Sequence, residues 1–384
     1  MTWNTIIGQE RVQKMLQRCI LDNRIPHALL LTGHEGSGTV ALALAFARTV
    51  NCERPVATET TIAPCETCHA CIQGATLQHP NIRIVASLPS GKADTEDELK
   101  DEVITELREA IQGLASDAYL PIRLANATQI RIGQIRELKR SLSLSAVQGG
   151  RRVVIILNAE EMTVEAANAF LKTLEEPHDD VTLILTTARP ERLLQTIVSR
   201  CQELIVPPLD DDDIIAALVK RELCTRDEAT IIAPFAQGDL KRAIDYLSED
   251  IRALRETAVN LLRAALKGKD FRNGLMDAVE EAADGRNKSR ADAVLSLLAL
   301  WLRDAQAIAL AGEGAPLVNV DHRPALERFA AAFGQADFSA VLSVIEQASR
   351  HLARNVSVSL VLSTAMVDIR RVFAATRTTE RVTP

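Results

Sequence analysis

A chain of 384 residues is too long for one ordinary hydrophobic core, so two or three domains are expected. Hydrophobic residues make up 47% and charged residues 25%, an ordinary globular balance, while aromatics at 3% require aliphatic cores and exclude a base-stacking platform. The formal charge of −7 excludes a chain that grips nucleic acid unaided through a broad basic field, but not a few local phosphate contacts.

The opening "MTWNTIIGQERVQ" lacks the basic-then-apolar pattern of a secretory signal. Residues 9–23 read as an amphipathic helix ended by "DNRIPH", and Ala28–Thr32 as a buried strand. "GHEGSGTVAL" (33–42) follows, a glycine-rich turn leading into an Ala-rich helix over 39–50. Next come a Cys-rich module at 52–71 and a strand at 81–87, "NIRIVAS". An acidic insert at 88–125 contains a helix over 94–114, with Leu99, Val103, Leu107, Ile111 and Leu114 on one apolar stripe. "QIRIGQIRELKRSL" gives a short strand and a helix, and "RRVVIIL" (151–157) a buried parallel strand. "VEAANAFLKTLEEP" is a helix stopped before Pro177, and "VTLILTT" (181–187) another long strand. Strands alternating with helices imply right-handed crossovers and a parallel sheet covered on both faces.

After Pro207-Pro208 the period becomes helical throughout. The expected organisation is an α/β nucleotide-binding-type domain over 1–208, a small helical domain over 209–250 and an all-α domain over 251–384. The most apolar later stretch, Ala293–Leu302, is far short of a bilayer span and is closed by Arg303 and Asp304. No membrane partner is therefore expected. The chain should be cytoplasmic, and its seven cysteines thiols or metal ligands rather than disulfides.

Strand, glycine turn and helix are the setting of a P-loop, G-x-x-x-x-G-K-[ST], in which Gly33 and Gly38 take the two glycine positions. A working loop also needs a lysine to offset phosphate charge and a hydroxyl to ligate Mg²⁺. Here those positions carry Thr39 and Val40. Sliding the register to make Thr39 the hydroxyl leaves Gly38 in the lysine position. The second metal element, an acid at the end of an apolar strand, is replaced by Leu157-Asn158, with Glu160 and Glu161 beyond it. Gly33, Gly36, Gly38 and Thr39 thus outline a phosphate cradle without its charges, and ATP should not be bound productively. A chance glycine turn in another α/β protein is the competing reading.

Cys52, Cys65, Cys68 and Cys71 present four thiols in one short window, the last three at CxxCxxC spacing. That set suits a tetrahedral structural Zn²⁺. Ferredoxin-type cluster sites share the spacing, but their run continues to Cys-Pro, and here the fourth cysteine lies upstream. His69 could join only by displacing a cysteine. Cys19, Cys201 and Cys224 are isolated and expected to be buried thiols. Glu175-Glu176 sit about 100° apart on a helix and suit a helix end better than an acid–base pair. Arg136, Lys139 and Arg140 form a basic cluster that fits phosphate contacts or a plain solvated face.

"IIGQE", the glycine loop, the cysteine module, "NAFLKTLEEP", "LTTARPERLLQTIVSRC" and the helical tail together resemble subunits of the bacterial replicative clamp loader, which are AAA+ proteins. The missing lysine and acids point to the delta-prime family rather than the related tau/gamma subunits. The likeness is good over 1–88 and 126–250 and weaker over 251–384, where "LARNVSVSLVLSTAM" is the most similar stretch. It implies a noncatalytic subunit that helps an ATP-driven complex load a sliding clamp on primer-template DNA. The implied partners are tau/gamma and delta subunits, the clamp and, through the complex, DNA.

On physics alone Arg200 could be a surface residue; the resemblance makes it an arginine finger acting in trans on ATP held by a tau/gamma neighbour. Thr187 matches the sensor-1 position and Lys241 the sensor-2 position, where an active subunit carries Arg; both are expected to be relics or structural. The region around Asn355 would pack in a helical collar. A tau/gamma-like ATPase with an atypical loop, or a free zinc-binding adaptor, are the rival functions.

Overall fold

The computed structural model describes residues 2–89, 101–119, 122, 124, 127–143, 149–176, 179–247, 250–268, 271–353 and 356–379. Two compact units emerge, Met1–Ala243 and Ile244–Pro384. The first holds, in order, α1 (Glu10–Leu21), β1 (Ala28–Thr32), α2 (Thr39–Val50), β2 (Val56–Ala57), β3 (Ile62–Ala63), α3 (His69–Ala75), β4 (Ile82–Val85) and β5 (Leu88–Pro89). It continues through α4 (Asp101–Ser116), β6 (Ala127–Gln129), α5 (Ile132–Ser143), β7 (Arg152–Ile156), α6 (Val164–Glu175), β8 (Val181–Thr187), α7 (Gln195–Val198) and β9 (Gln202–Ile205). Helices α8 (Asp211–Lys220), α9 (Arg226–Ala236) and the first half of α10 (Leu240–Leu247) close it.

The main sheet has five parallel strands in the order β4-β7-β8-β1-β9. β8 is buried along its whole length and β7 along all but its first residue, as unbroken Val/Ile/Leu runs demand when both sheet faces are covered. Leu30 of β1 pairs with Leu185 on one side and Glu203 on the other. The aliphatic core on one side runs from Ile135 and Leu138 of α5 through Phe170 and Leu174 of α6 to Leu183 and Leu185. The expected α/β domain with a parallel sheet is therefore present, with its helical continuation.

Three differences from the sequence reading stand out. The antiparallel pairs β2–β3 and β5–β6 were not expected, because strands of two or three residues carry no readable alternation. In α4 only Leu114 of the expected stripe is buried; Val103, Leu107 and Ile111 are half-buried, and Leu99 lies outside the described residues. Cys19, Cys201 and Cys224 are half-buried rather than buried. Pro177 and Asn355 lie outside the described residues.

The second unit contains α11 (Ile251–Leu266), α12 (Phe271–Ala283), α13 (Lys288–Ala311), α14 (Arg323–Phe333), α15 (Phe338–Ala353) and α16 (Val358–Thr379). Its core is not purely aliphatic. Trp301, Phe329, Phe333 and Phe373 stack edge-on or tilted at centroid distances of 4.7–5.6 Å, concentrating the scarce rings where α13, α14 and α16 meet. By length and composition Lys288–Gly314 could cross a bilayer, at mean hydropathy 1.5, which the shorter Ala293–Leu302 stretch did not suggest. In this unit the helix is the central member, packed by α11, α12, α14, α15 and α16.

Asp304 on α13 is 4% exposed, and its carboxylate accepts from Val318 N–H (3.2 Å), Asn319 N–H (2.7 Å) and the Asn319 side-chain amide (2.8 Å). It tethers the α13–α14 connection to the central helix. Asn319 in turn accepts from Arg255 Nε at 3.1 Å, so the network reaches α11. Asp304→Ala is expected to destabilise the chain by about 3 kcal/mol in urea unfolding, because buried donors lose a charged acceptor. A loss below about 1 kcal/mol would mean the donors find other partners.

Candidate functional site

β1 delivers the glycine loop to the C-terminal edge of the sheet. Gly33 N–H donates to the Thr187 carbonyl at 3.0 Å, fastening the loop to the end of β8. Gly36 and Gly38 have φ of 72° and 100°, left-handed values that suit glycine. A Cβ on Gly36 would also sit 2.1 Å from Asp239 Oδ1. α2 then starts at Thr39, so the backbone half of a phosphate cradle is built: a glycine turn in front of a helix N-terminus.

The positions that carry lysine and a hydroxyl in a P-loop are Thr39 and Val40 here. Thr39 is buried and Val40 follows it in the first turn of α2. At the end of β7, Asn158 adopts φ 48° and its N–H donates to Thr186 Oγ1 at 3.3 Å. Glu161 accepts from the Ser87 hydroxyl. Thr187 Oγ1 accepts from Arg189 N–H at 3.0 Å, so this buried hydroxyl serves a turn. Lys241 is half-buried in the first turn of α10.

Several residues that the sequence did not single out close around the loop. Gln9, itself in the left-handed region, donates through Nε2 to the carbonyls of Ser37 (3.0 Å) and Pro207 (2.7 Å). Asp239 accepts from Arg242 N–H at 3.0 Å and lies against Gly36; burial pushes its carboxyl above the usual range. Leu240 N–H points to the Gly36 carbonyl at 3.4 Å. Tyr119, from the turn after α4, lies over Gly38 and is 4% exposed. Being one of only two tyrosines in the chain was its sole mark in the sequence.

Arg200 follows α7 and just precedes β9. Because β9 runs parallel to β1, with Gln202 beside Leu29, Arg200 sits at the N-terminal edge of the sheet and the glycine loop at the opposite edge. The two are separated by about 13 Å of strand. Arg200 is half-buried, donates to the Thr196 carbonyl at 3.0 Å and pairs with Glu175 at 2.7 Å. Glu175 thus has a partner that the sequence did not indicate, while Glu176 is exposed at the end of α6. On α5, Arg136 and Arg140 are exposed and Lys139 is half-buried.

The four cysteines converge. The Sγ atoms of Cys52, Cys65, Cys68 and Cys71 all lie within 4.8 Å of one another, with Cys52–Cys68 at 3.9 Å and Cys65–Cys71 at 4.0 Å. Four sulfurs bound tetrahedrally at about 2.3 Å to one ion would stand about 3.8 Å apart, so the thiols already trace a coordination polyhedron. Backbone N–H groups point at the sulfurs: Cys65 N–H to Cys52 (3.2 Å), Cys68 N–H to Cys65 (3.4 Å) and Cys71 N–H to Cys68 (3.4 Å). The Thr67 backbone hydrogen bond holds Cys65 down to about 6, whereas burial pushes Cys52 and Cys71 up. These donors favour thiolates and the set fits a thiophilic cation. His69 is exposed and outside the group.

Comparisons with known proteins place relatives beside this chain. A model of the family described as "DNA polymerase III, delta subunit" matches residues 8–210, more than half of the chain. "DNA polymerase III subunit delta'" of Bacillus subtilis is 26% identical over 91% of this chain and 92% of its own length. Its namesake from Pseudomonas aeruginosa is 35% identical over 47% of this chain and 43% of its own length. "DNA polymerase III subunit tau" of Bacillus subtilis is 28% identical over 64% of this chain, which spans only 37% of that relative. A solved gamma subunit-related protein of Thermotoga maritima aligns over 94% of this chain and 99% of its own at 18% identity, with a TM-score of 0.40.

Titration of the reduced chain with Co²⁺ is expected to saturate at one ion per chain, with the strong thiolate-to-metal absorption of a tetrahedral site. Binding should weaken as pH falls, because each remaining thiol must release its proton. Cys68→Ser should lower the affinity markedly; unchanged Co²⁺ binding in that variant would exclude the four-sulfur site.

Proposed function

The chain belongs to the DNA polymerase III delta-subunit family, and from that membership we propose that it works as a noncatalytic subunit of the bacterial clamp loader. In this reading it takes the delta-prime role. Together with tau/gamma and delta subunits it helps ATP-driven opening of the sliding clamp and its placement on primer-template DNA in the cytoplasm. Residues 1–208 form the AAA+ domain, 209–250 a helical lid and 251–384 a collar through which subunits assemble. The complex, rather than this acidic chain, supplies most of the affinity for DNA.

One observation carries the reading. The glycine loop keeps its backbone but has Thr39, Val40 and Asn158 where a hydrolytic site needs a lysine, a hydroxyl and an acid. At those three positions no side chain carries the positive charge of the lysine or the carboxylate of the acid. A cation on the far edge of the sheet cannot help this chain's own loop, but it can face a neighbour's. Arg200 is that cation, and it would stabilise negative charge developing on the transferred phosphoryl group in trans. In the free chain its guanidinium rests on Glu175, which is 48% exposed and so a partner that a phosphate can displace.

Cys52, Cys65, Cys68 and Cys71 would hold a structural Zn²⁺, which ties the segment after α2 to the start of α3. The ion supplies cross-linking alone, since four thiolates leave no open position for substrate.

Reconstituted with its partner subunits, Arg200→Ala should leave assembly intact, as judged by gel filtration. ATP hydrolysis at the site that Arg200 faces should fall by about 10³, the lower end for arginine fingers. Arg200→Lys should rescue little, because a point charge cannot reproduce the planar fork. The purified chain alone should show no ATP turnover. Brisk turnover by the isolated chain would instead identify a tau/gamma-like ATPase with an atypical loop.

A further inference from the structure

We propose that the insert after β5 carries an internal plug, Tyr119, which fills the cleft over the glycine loop and holds the small helical lid in the place where bound nucleotide would otherwise do so. This rests on reading Gly33–Val40 as a phosphate cradle stripped of its charges.

Three segments distant in sequence meet at this tyrosine. Its hydroxyl accepts from Ile7 N–H at 2.8 Å, so it satisfies a backbone donor of the N-terminal segment. The same oxygen lies 3.1 Å from the position a Cβ would take on Gly38, the residue that caps α2. The third segment is the lid. Asp117 accepts a two-pronged ion pair from Arg221, at 2.7 and 3.2 Å, and Arg221 directly follows α8. The Arg221 guanidinium also stands 5.4 Å from the centre of the Tyr119 ring. Asp117 Oδ1 accepts from Tyr119 N–H at 3.0 Å as well, so one carboxylate fixes both the turn and the lid arginine.

The consequence for the cradle is steric. Phosphate binds at a helix N-terminus by approaching the exposed N–H groups of its first turn. Here Ser37, Gly38 and Thr39, the approach to α2, are all buried. The closing groups are those of this chain: Gln9 on Ser37, Asp239 on Gly36 and Tyr119 on Gly38. Of these, Tyr119 alone comes from the insert. It brings no charge: a phenol is neutral near pH 7, and burial pushes this one further up, to about 12. A neutral ring can therefore occupy a cleft that already contains Asp239 without adding repulsion.

The Ile7–Tyr119–Gly38 contacts and the Asp117–Arg221 pair tie the glycine loop to the lid within this chain, without a ligand between them. The subunit would then keep one lid position through the ATP cycle of its neighbours.

The test uses the full chain, with a fluorescent ADP analogue as the probe. Tyr119→Ala opens the cleft and should bind the analogue at least about tenfold more tightly than the unaltered chain. Tyr119→Phe keeps the ring and the fold but loses the acceptor. In it, hydrogen exchange at the Ile7 amide should quicken about tenfold, the factor for one lost hydrogen bond, while amides of β7 and β8 stay protected. Equal affinity of the unaltered chain and Tyr119→Ala for the analogue overturns the plug, as does unchanged exchange at Ile7 in Tyr119→Phe. ATP turnover by the unaltered chain would instead overturn the noncatalytic reading, so the two failures are distinguishable.

Discussion

The parallel placement of β1 between β8 and β9 is the constraint from which the rest follows. A parallel pair sends both strands in one direction, so whatever follows β1 and whatever precedes β9 must lie on opposite edges. The glycine loop follows β1 and Arg200 precedes β9. A cation must come within about 3 Å of a phosphoryl oxygen to hydrogen-bond it, and the strands separate these two elements by several times that distance. One chain therefore cannot bring both to the same phosphate. Within this fold Arg200 and the glycine loop therefore belong to separate surfaces, which is the geometric basis of the proposed role in trans.

Helix α2 links the two features that the sequence marked most clearly. Its first residue ends the glycine loop, and one turn from its other end Arg48, 5% exposed, donates to the Cys71 carbonyl at 3.4 Å. The stem of Arg48 lies where Gly74 of α3 has no side chain. The cysteine module is thus seated on the same helix that carries the cradle. An ion held by the four sulfurs would stiffen α3 against α2, and through α2 the loop itself. That connection suits a scaffold better than a switch.

Long apolar runs and close-spaced cysteines were legible in the sequence because each carries its cause locally. β7 and β8 are buried on both faces, which leaves only Val, Ile, Leu and Thr acceptable in their centres. The cysteine cluster needed only that a short loop fold back, and Glu66, with φ 62°, makes the tight turn between Cys65 and Cys68. What stayed hidden depends on distant partners. Tyr119 meets Ile7 across more than a hundred residues, and Arg221 meets Asp117 across a similar span. No local pattern announces such pairs. Arg200 was singled out only by resemblance, and its Glu175 partner lies on α6.

Arg303 and Asp304 close the apolar Ala293–Leu302 stretch in the sequence, while the helical period runs on past them. They are not equivalent in the fold. Arg303 is exposed, whereas Asp304 turns inward and is satisfied by the Val318–Asn319 backbone, so the helix runs on to Ala311. The same principle explains the cradle. The polar backbone of the glycine loop is satisfied within this chain, since an unsatisfied buried group costs about 1–3 kcal/mol: the Thr187 and His34 carbonyls accept from Gly33 and Ser37 N–H, and Gln9 donates to the Ser37 carbonyl. In this chain Gln9, Asp239 and Tyr119 surround the loop. On the proposed reading, the groups that fill the cleft also join segments distant in sequence, Ile7 to Tyr119 and Asp117 to Arg221.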